Sequence, residues 1–418
     1  MKTKALTIAL LYVSTALIPI DIVGRAYAQP LTMEQIRANL INNPPNSQNQ
    51  LLRKQTILSL DQILQDDASR TSASVLDFYN YMMEKVRTEV RDTVKDGAVV
   101  WMMYNDGYVV KTSDVVFAFD LISGYSGWSA HLSPDLLDRI KVLFLSHSHG
   151  DHFDVSIVNR VKANGGYVVV PAEDSYMGNV PLAVYDAVTL SGLRITAYQG
   201  LHSVPLRMYE VTCPNGLKLL HTGDNQTSSY LPNIGKLDVL LLDAWINESG
   251  SSSAVVGMRK SIDKLKPSVM IPGHIMELAH AGLTRGATYE WAFEVADASV
   301  STDVRVMAWG ERFVVTKGVT SIAGGENQRN ATDFVLSQNY PDPFNPSTTI
   351  HFQLPVSGYV TLKVFDLLGR ELAVLVNEVK KAGSYHVSWD AASMPSGMYV
   401  YRITAGEFVS VRKMVLTK

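Results

Sequence analysis

The sequence predicts an α/β protein whose central domain is a sheet covered by helices, with a helical segment before it and a small all-β sandwich after it. Three observations predict this. Apolar residues recur at three-to-four spacing before Lys95. From Gly97 to about Lys317, short β-rich runs alternate with helical stretches. Beyond Asp333 only short alternating runs remain, divided by Gly and Pro turns. With 418 residues, 46% hydrophobic and 18% charged, the chain can bury at least one large core, and two or three domains are expected. Lys+Arg at 37 against Asp+Glu at 40, a net charge of −3, argues against a nucleic-acid binder working through bulk charge. The single cysteine, Cys213, excludes an intramolecular disulfide and a Cys-rich zinc module, so any metal must be held by His and carboxylate.

Residues 1–28 read as a secretory signal. Lys2 and Lys4 give a positive start, Ala5 to Ile20 is mostly apolar, and Ala26-Tyr27-Ala28 fits a small-x-small cleavage site, so the mature chain is expected to begin at Gln29. Later apolar runs, such as Val142 to Leu145, Val168 to Val170 and Val239 to Leu242, are strand-sized and predict no membrane span. Residues 29–95 form the helical segment. One helix is expected over Gln50 to Gln65 and another over Ser74 to Val94, where Val75, Phe78, Tyr79, Met82, Met83, Val86 and Val90 make a single apolar stripe suited to core packing. Pro44-Pro45 marks a turn before them. These helices either cap the site or extend the core.

The central domain is expected over 96–318. Strand Ala98 to Tyr104, a hairpin turn at Asn105-Asp106-Gly107 and strand Tyr108 to Lys111 open it, followed by Val115 to Asp120. Helix Pro134 to Ile140, strand Val142 to Leu145, helix Val155 to Lys162 and strand Tyr167 to Val170 continue the alternation. The polar, Gly-rich stretch 319–332 is a linker, and 333–418 is the sandwich, with runs at Thr348 to Leu354, Val360 to Asp366, Ser384 to Trp389, Met398 to Ala405 and Glu407 to Leu416.

The informative chemistry follows the strand Val142 to Leu145. Ser146-His147-Ser148-His149-Gly150-Asp151-His152 places four potential ligands within six positions, in a chain with only 10 His. His147 and His149, two apart in an extended loop, can face one metal; Asp151 and His152, at the expected start of the next helix, can face a second. His202, Asp224 and His274 each follow a later strand, where an α/β scaffold gathers functional groups on one sheet edge. A carboxylate such as Asp224 can bridge two cations, whereas His221 is expected to support the ligands rather than be one.

This run, with His202, Asp224 and His274 following in order, resembles the metallo-β-lactamase-fold hydrolase superfamily, over about Gly97 to Lys317. The resemblance implies a four-layered αββα sandwich with a dinuclear site at one edge. His147, His149 and His202 would hold one Zn²⁺, Asp151, His152 and His274 the other, with Asp224 bridging and Asp120 steadying the metal loops. Manganese or iron are alternatives to zinc. Two such ions about 3.5–4 Å apart make a hydroxide from a bridging water and polarise the bond to be cut, so hydrolysis is implied, with Asp151 orienting the nucleophile and carrying its proton.

The superfamily cuts lactams, lactones, thioesters and phosphodiesters with the same metals. Its dizinc β-lactamases often carry cysteine at the later metal position, where this chain has Asp224. The interval from Asp224 to His274 is too short for the inserted domain of the family's nucleases, and its flavin-linked diiron members use Glu where His149 stands. Ser146 to Asp154, His221-Thr222-Gly223-Asp224 and Lys266 to His274 look closest to the branch of ascorbate-phosphate lactonases and N-acyl-phospholipid phosphodiesterases, implying an ester, lactone or phosphodiester substrate. Tyr125, Trp128 and His131 are candidates to line a cleft. A β-lactamase-like amidase or thioesterase is the alternative enzyme, and a non-catalytic metal-binding cell-surface protein the alternative outside catalysis.

The sandwich resembles a second family. Asn339-Tyr340-Pro341-Asp342-Pro343-Phe344-Asn345-Pro346, Val364-Phe365-Asp366-Leu367-Leu368-Gly369-Arg370-Glu371 and Ser396-Gly397-Met398-Tyr399-Val400-Tyr401-Arg402 look like the type A sorting domain of the type IX secretion system, departing only at Asp342, where that family usually has Asn. The resemblance implies export across both membranes of a Bacteroidetes-like bacterium, recognition by the secretion machinery and removal of the domain afterwards. A passive carbohydrate-binding or adhesion sandwich is the alternative. The chain is thus expected to be a secreted or cell-surface hydrolase acting on a small molecule.

Overall fold

The structure, a computed structural model, describes residues 31–316 and 334–418, apart from short stretches at 48–49, 67, 126–127, 130–131, 247–253, 276–287, 300, 337, 340–341, 355 and 407. The expected signal peptide and linker lie outside the described residues.

Thr32 starts the first helix, Met33–Asn42, with a capping box: its hydroxyl accepts from the Gln35 N–H, and the Gln35 side chain accepts from the Thr32 N–H. Helices Gln50–Gln65 and Ala73–Glu89 follow. The third stops at Glu89 rather than running to Val94. The Arg91 N–H turns back to the Thr88 carbonyl, and Lys111 Nζ donates to the carbonyls of Val90 and Asp92, which satisfies helix-end acceptors. The apolar stripes of these helices build no core of their own. Ile36, Leu40, Ile57, Leu60, Phe78, Tyr79 and Met82 join one continuous core with the strands that follow. Gly310, at φ +82°, allows a close approach to the third helix, because a Cβ there would lie 2.5 Å from Met82 Cβ.

Asp61 adds a polar contact to this packing. It lies on Gln50–Gln65 and accepts from the Tyr289 N–H at 3.2 Å, in the first turn of helix Tyr289–Ala298. Burial, partly opposed by that hydrogen bond and one from Gln65, pushes its carboxyl up from 3.8 to about 6. Between those values the folded chain holds a proton that the unfolded chain has released, so the buried charge costs stability above pH 6 and that cost disappears below the unfolded value. Asp61→Asn keeps an acceptor for Tyr289 without the charge. It should therefore be more stable than the native chain at pH 7.5, by on the order of 2–3 kcal/mol, with the gap closing towards pH 4. Denaturant unfolding of both proteins at several pH values checks this, and a gap that does not change with pH would contradict it.

Two seven-stranded sheets make up the central domain. The first runs in the spatial order Arg312–Val315, Ala98–Met102, Tyr108–Lys111, Val116–Phe119, Ile140–Phe144, Tyr167–Pro171, Val180–Leu182. The second runs Asp303–Val304, Val269–Gly273, Val239–Asp243, Lys218–His221, Arg207–Thr212, Leu193–Gln199, Ala187–Leu190. Their inner strands are apolar on both faces, as strands covered on both sides must be: Ala98–Met102, Val116–Phe119, Val239–Asp243 and Val269–Gly273 are buried throughout. The sheets face each other. Phe144 packs against Tyr209 with ring centroids 5.2 Å apart, the Tyr209 hydroxyl donates to the Leu145 carbonyl at 3.0 Å, and Phe119 stacks on His221 at 4.6 Å. Helix Val155–Ala163 packs on Ile140–Phe144 and Tyr167–Pro171, while Ala254–Leu265 and Tyr289–Ala298 pair beside the second sheet. The arrangement is a helix–sheet–sheet–helix sandwich. Helix Pro134–Leu137 is shorter than expected, because Ile140 already opens the strand that pairs in parallel with Val116.

The C-terminal region has its own core, built around Ile350, Phe352, Leu362, Tyr401 and Met414. One sheet orders Val335–Leu336, Ser347–Leu354, Gly383–Asp390; the other orders Glu371–Lys380, Gly358–Phe365, Gly397–Ala405, Phe408–Leu416. Strand Glu371–Lys380 was not foreseen. Irregular pairing at Leu362/Lys363 and Val364/Phe365 breaks its alternation, so it carries no clean period-two signal. Asp342 accepts from the Val415 N–H at 2.8 Å and from Gln338 at 2.7 Å, contacts that fix the last strand against the start of the sandwich.

Candidate metal centre

Parallel pairing within each sheet brings the ends of several strands to one edge. Asp120 follows Val116–Phe119, and the His147–His152 loop follows Ile140–Phe144. His202 comes after Leu193–Gln199, Asp224 after Lys218–His221, and His274 after Val269–Gly273. Asp151 and His152, expected from sequence to open the next helix, do not. They occupy a turn closed by the His152 and Phe153 N–H groups donating to the His149 carbonyl, and the helix starts only after Asp154, whose carboxylate caps Ser156 and Ile157.

Three overlapping triads result, each with its ligand-capable atoms within 4.8 Å of one another: His147, His149 and His202; His147, His152 and Asp224; Asp151, His152 and His274. In the first, His147 Nε2 lies 3.1 Å from His149 Nδ1, and His202 Nε2 lies 3.2 Å from the same atom. Asp224 sits between the other two, 3.1 Å from His152 Nε2, 3.3 Å from His274 Nε2 and 3.7 Å from His147 Nε2. Asp151 Oδ2 is 3.6 Å from His152 Nε2 and 3.9 Å from His274 Nε2.

The supporting contacts orient these rings. Asp120 accepts from the Ser146 N–H at 2.7 Å and the Ser146 hydroxyl at 2.5 Å, and lies 2.9 Å from His152 Nδ1. A carboxylate only accepts, so His152 carries a proton on Nδ1 and aims Nε2 inward at Asp224. The Ser146 hydroxyl, having given its proton to Asp120, accepts from His147 Nδ1 at 2.9 Å, and the His147 Nε2 lone pair likewise faces inward. His221 takes no place among the triads that surround Asp224; it pairs with Asp106 at 2.9 Å.

The electrostatics agree with a cation site. Burial, reinforced by His152, His202 and His149, holds His147 well below the usual imidazole range, so it is a neutral donor. Burial disfavours charge at His152 and Asp224, yet their mutual attraction overrides it: with Asp120 it lifts His152 well above its ordinary value, and with His274 it holds Asp224 well below. Burial and the Asp224 charge push the Asp243 carboxyl well up. Converging imidazole nitrogens beside an ionised, buried carboxylate are the donor set of a borderline cation, whose binding requires His152 to give up its extra proton.

Four residues of this environment escaped the sequence reading. Asn105 Nδ2 donates to Asp151, Asp106 meets His221, Asp243 lies buried beside Asp224, and the Trp245 ring packs edge-on against His274 at 4.6 Å. The Asn105-Asp106 signal was fully explained by a hairpin. Tyr125 and Trp128 lie in a short ribbon, Gly124–Tyr125 with Trp128–Ser129, but their side chains and His131 are outside the described residues.

Comparison with known proteins adds a sequence family for the C-terminal region. Residues 338–417 match the secretion system C-terminal sorting domain. A search of curated proteins finds no match. Among solved structures, the chain is similar to Igni18, a metallo hydrolase from the archaeon Ignicoccus hospitalis, at 17% identity and a TM-score of 0.41, covering 52% of this chain and 97% of that one. It is similar to the metallo-β-lactamase fold protein YhfI from Bacillus subtilis at 16% identity and 0.39, covering 52% and 99%. CmlA, a diiron β-hydroxylase from Streptomyces venezuelae, matches at 12% identity and 0.39, covering 54% and 55%. Residues 338–417 thus belong to the secretion system C-terminal sorting-domain family.

Proposed function

We propose that the chain is an exported metal-dependent hydrolase that cleaves an ester, lactone or phosphodiester bond of a small molecule, delivered to the outside or the cell surface by its C-terminal sorting domain. The observation that carries the reading is the pair of triads joined at Asp224, assembled from strand ends of both sheets. His147, His149 and His202 would hold one ion and Asp151, His152 and His274 a second, with Asp224 shared; the nitrogen-rich first set favours zinc. Two divalent cations there would supply Lewis-acid polarisation of a carbonyl or phosphoryl oxygen and acidify a water.

The chain's own residues would do the rest. Asp120 and Ser146 fix the tautomers of His152 and His147. Asp151 stands farther from the imidazoles, 3.6 Å from His152 and 3.9 Å from His274, than Asp224 does, and Asn105 steadies it from one side at 3.2 Å, so Asp151 is the carboxylate that would take a proton on Oδ and pass it to the leaving group. His147 and His152 are sealed from solvent, which keeps competing water away from that side of the site.

The test is metal content by mass spectrometry on the full chain, alongside turnover of lactone, phosphodiester, thioester and lactam substrates. Close to two zinc per chain and turnover of an oxygen ester are expected. Asp151→Ala should lower turnover by about 10²–10⁴. Full turnover by Asp151→Ala at native metal content would remove Asp151 from this role, and a chain that stays inert after zinc is added back would sink the hydrolase reading.

A further inference from the structure

The turn Asn105-Asp106-Gly107 connects Ala98–Met102 to Tyr108–Lys111, and its sequence reads as nothing more than a hairpin. In the fold it is buried at the edge that carries the ligand residues. Asn105 has φ +61°, the left-handed region that Asn tolerates better than most residues. Its Nδ2 donates to the Asp151 carbonyl at 3.3 Å and to Asp151 Oδ2 at 3.2 Å, and lies 3.3 Å from His152 Nε2. Its carbonyl accepts from the His274 N–H at 3.1 Å. Asp106 then places its carboxylate 2.9 Å from His221 Nε2. The fit is tight enough that a Cβ at Gly273 would lie 2.3 Å from Asp106 Oδ1, so the residue before His274 must be glycine to admit the turn.

One turn of the first sheet therefore grips a loop of its own sheet, at Asp151, and two strand ends of the facing sheet, at His221 and His274. Among the described residues its contacts do not reach His147, His149 or His202.

We propose that Asn105 is a positioning residue for one half of the metal centre: its amide fixes the Asp151 carboxylate and its carbonyl fixes the His274 backbone, setting the spacing of Asp151, His152 and His274 while leaving the three-histidine set alone. This rests on the metal-centre reading above. Two variants separate the amide from the backbone. Asn105→Gly keeps the left-handed backbone and removes the amide. Asn105→Asp keeps shape and backbone tolerance but sets a carboxylate oxygen against Asp151 in place of a donor.

The experiment titrates zinc into the metal-free full chain in competition with a chromophoric chelator, and records thermal unfolding of the metal-free form. The native chain should take two zinc. Both variants should keep one at native affinity and hold the other about 10–100-fold more weakly, with unfolding little changed. Native affinity at both sites in the variants overturns the proposal, as does equal weakening of both sites with a lower unfolding temperature, which would make Asn105 a residue of the fold alone. Should Asn105→Gly fail to fold, Asn105→Asp gives the same readout. A native chain that takes no zinc sinks the metal-centre reading itself and the proposal with it, an outcome the native arm shows apart from the others.

Discussion

Asp224→Ala is expected to lower kcat/KM by about 10³ or more, to leave the chain folded, and to leave no more than one tightly held metal. Asp224 lies between the two triads, within 3.7 Å of His147, His152 and His274. On the proposed metal-centre reading its loss would remove a ligand from both subsites at once, whereas removing His202 or Asp151 would touch one. It also removes one of the two carboxylates, Asp120 being the other, that against burial hold His152 well above its ordinary value. The variant should not unfold, because the surrounding rings keep their outer contacts to Asp120 and Ser146. Metal analysis, circular dichroism and steady-state kinetics on the same preparation check all three parts. Two metals per chain with turnover near native would show that Asp224 neither bridges nor matters to the chemistry.

The candidate site was legible in unequal parts. His147, His149, Asp151 and His152 stand out because four ligand types within six positions have no ordinary structural reason. His202, Asp224 and His274 are different. Each is one polar residue after a strand, which is also what a turn contains, and only the family resemblance tied them to the first motif. Asn105, Asp106, Asp243 and Trp245 left no signal. Asn-Asp-Gly is fully accounted for by hairpin chemistry, and what gives it a second role is the facing sheet, whose approach at Gly273 no local pattern encodes. The fold shows the same division. Periodicity located the helices and most strands, since burial of one face or both writes itself into the local sequence. It missed Glu371–Lys380, where irregular pairing disrupts the alternation, and it placed the end of Ala73–Glu89 too late, because a lysine from a distant strand closes that helix.

The N-terminal helices are tied to the central domain by a buried ion pair, and here lies the second large effect. Arg53→Ala is expected to destabilise the whole chain, central domain included, by about 3–5 kcal/mol. Arg53, on Gln50–Gln65, is 1% exposed and Glu311, just before Arg312–Val315, is 2% exposed. The guanidinium bonds Glu311 through both terminal nitrogens, Oε1 at 2.6 Å, and also donates to the carbonyls of Val306 at 2.9 Å and Asn43 at 3.2 Å. Without Arg53, the buried Glu311 carboxylate keeps the Ala308 N–H, at 2.8 Å, but has lost its counter-charge. The damage reaches the first sheet, because the Glu311 carbonyl accepts from the Met102 N–H and so begins the pairing of the last strand with Ala98–Met102. Replacing both partners, Arg53→Met with Glu311→Leu, should recover most of the loss, since an apolar pair of similar volume leaves no unpaired charge in the core. Denaturant unfolding of the three proteins decides it. If Arg53→Ala loses less than about 1 kcal/mol, the value of a surface ion pair, the helices would be an appendage that the central domain can lose without harm.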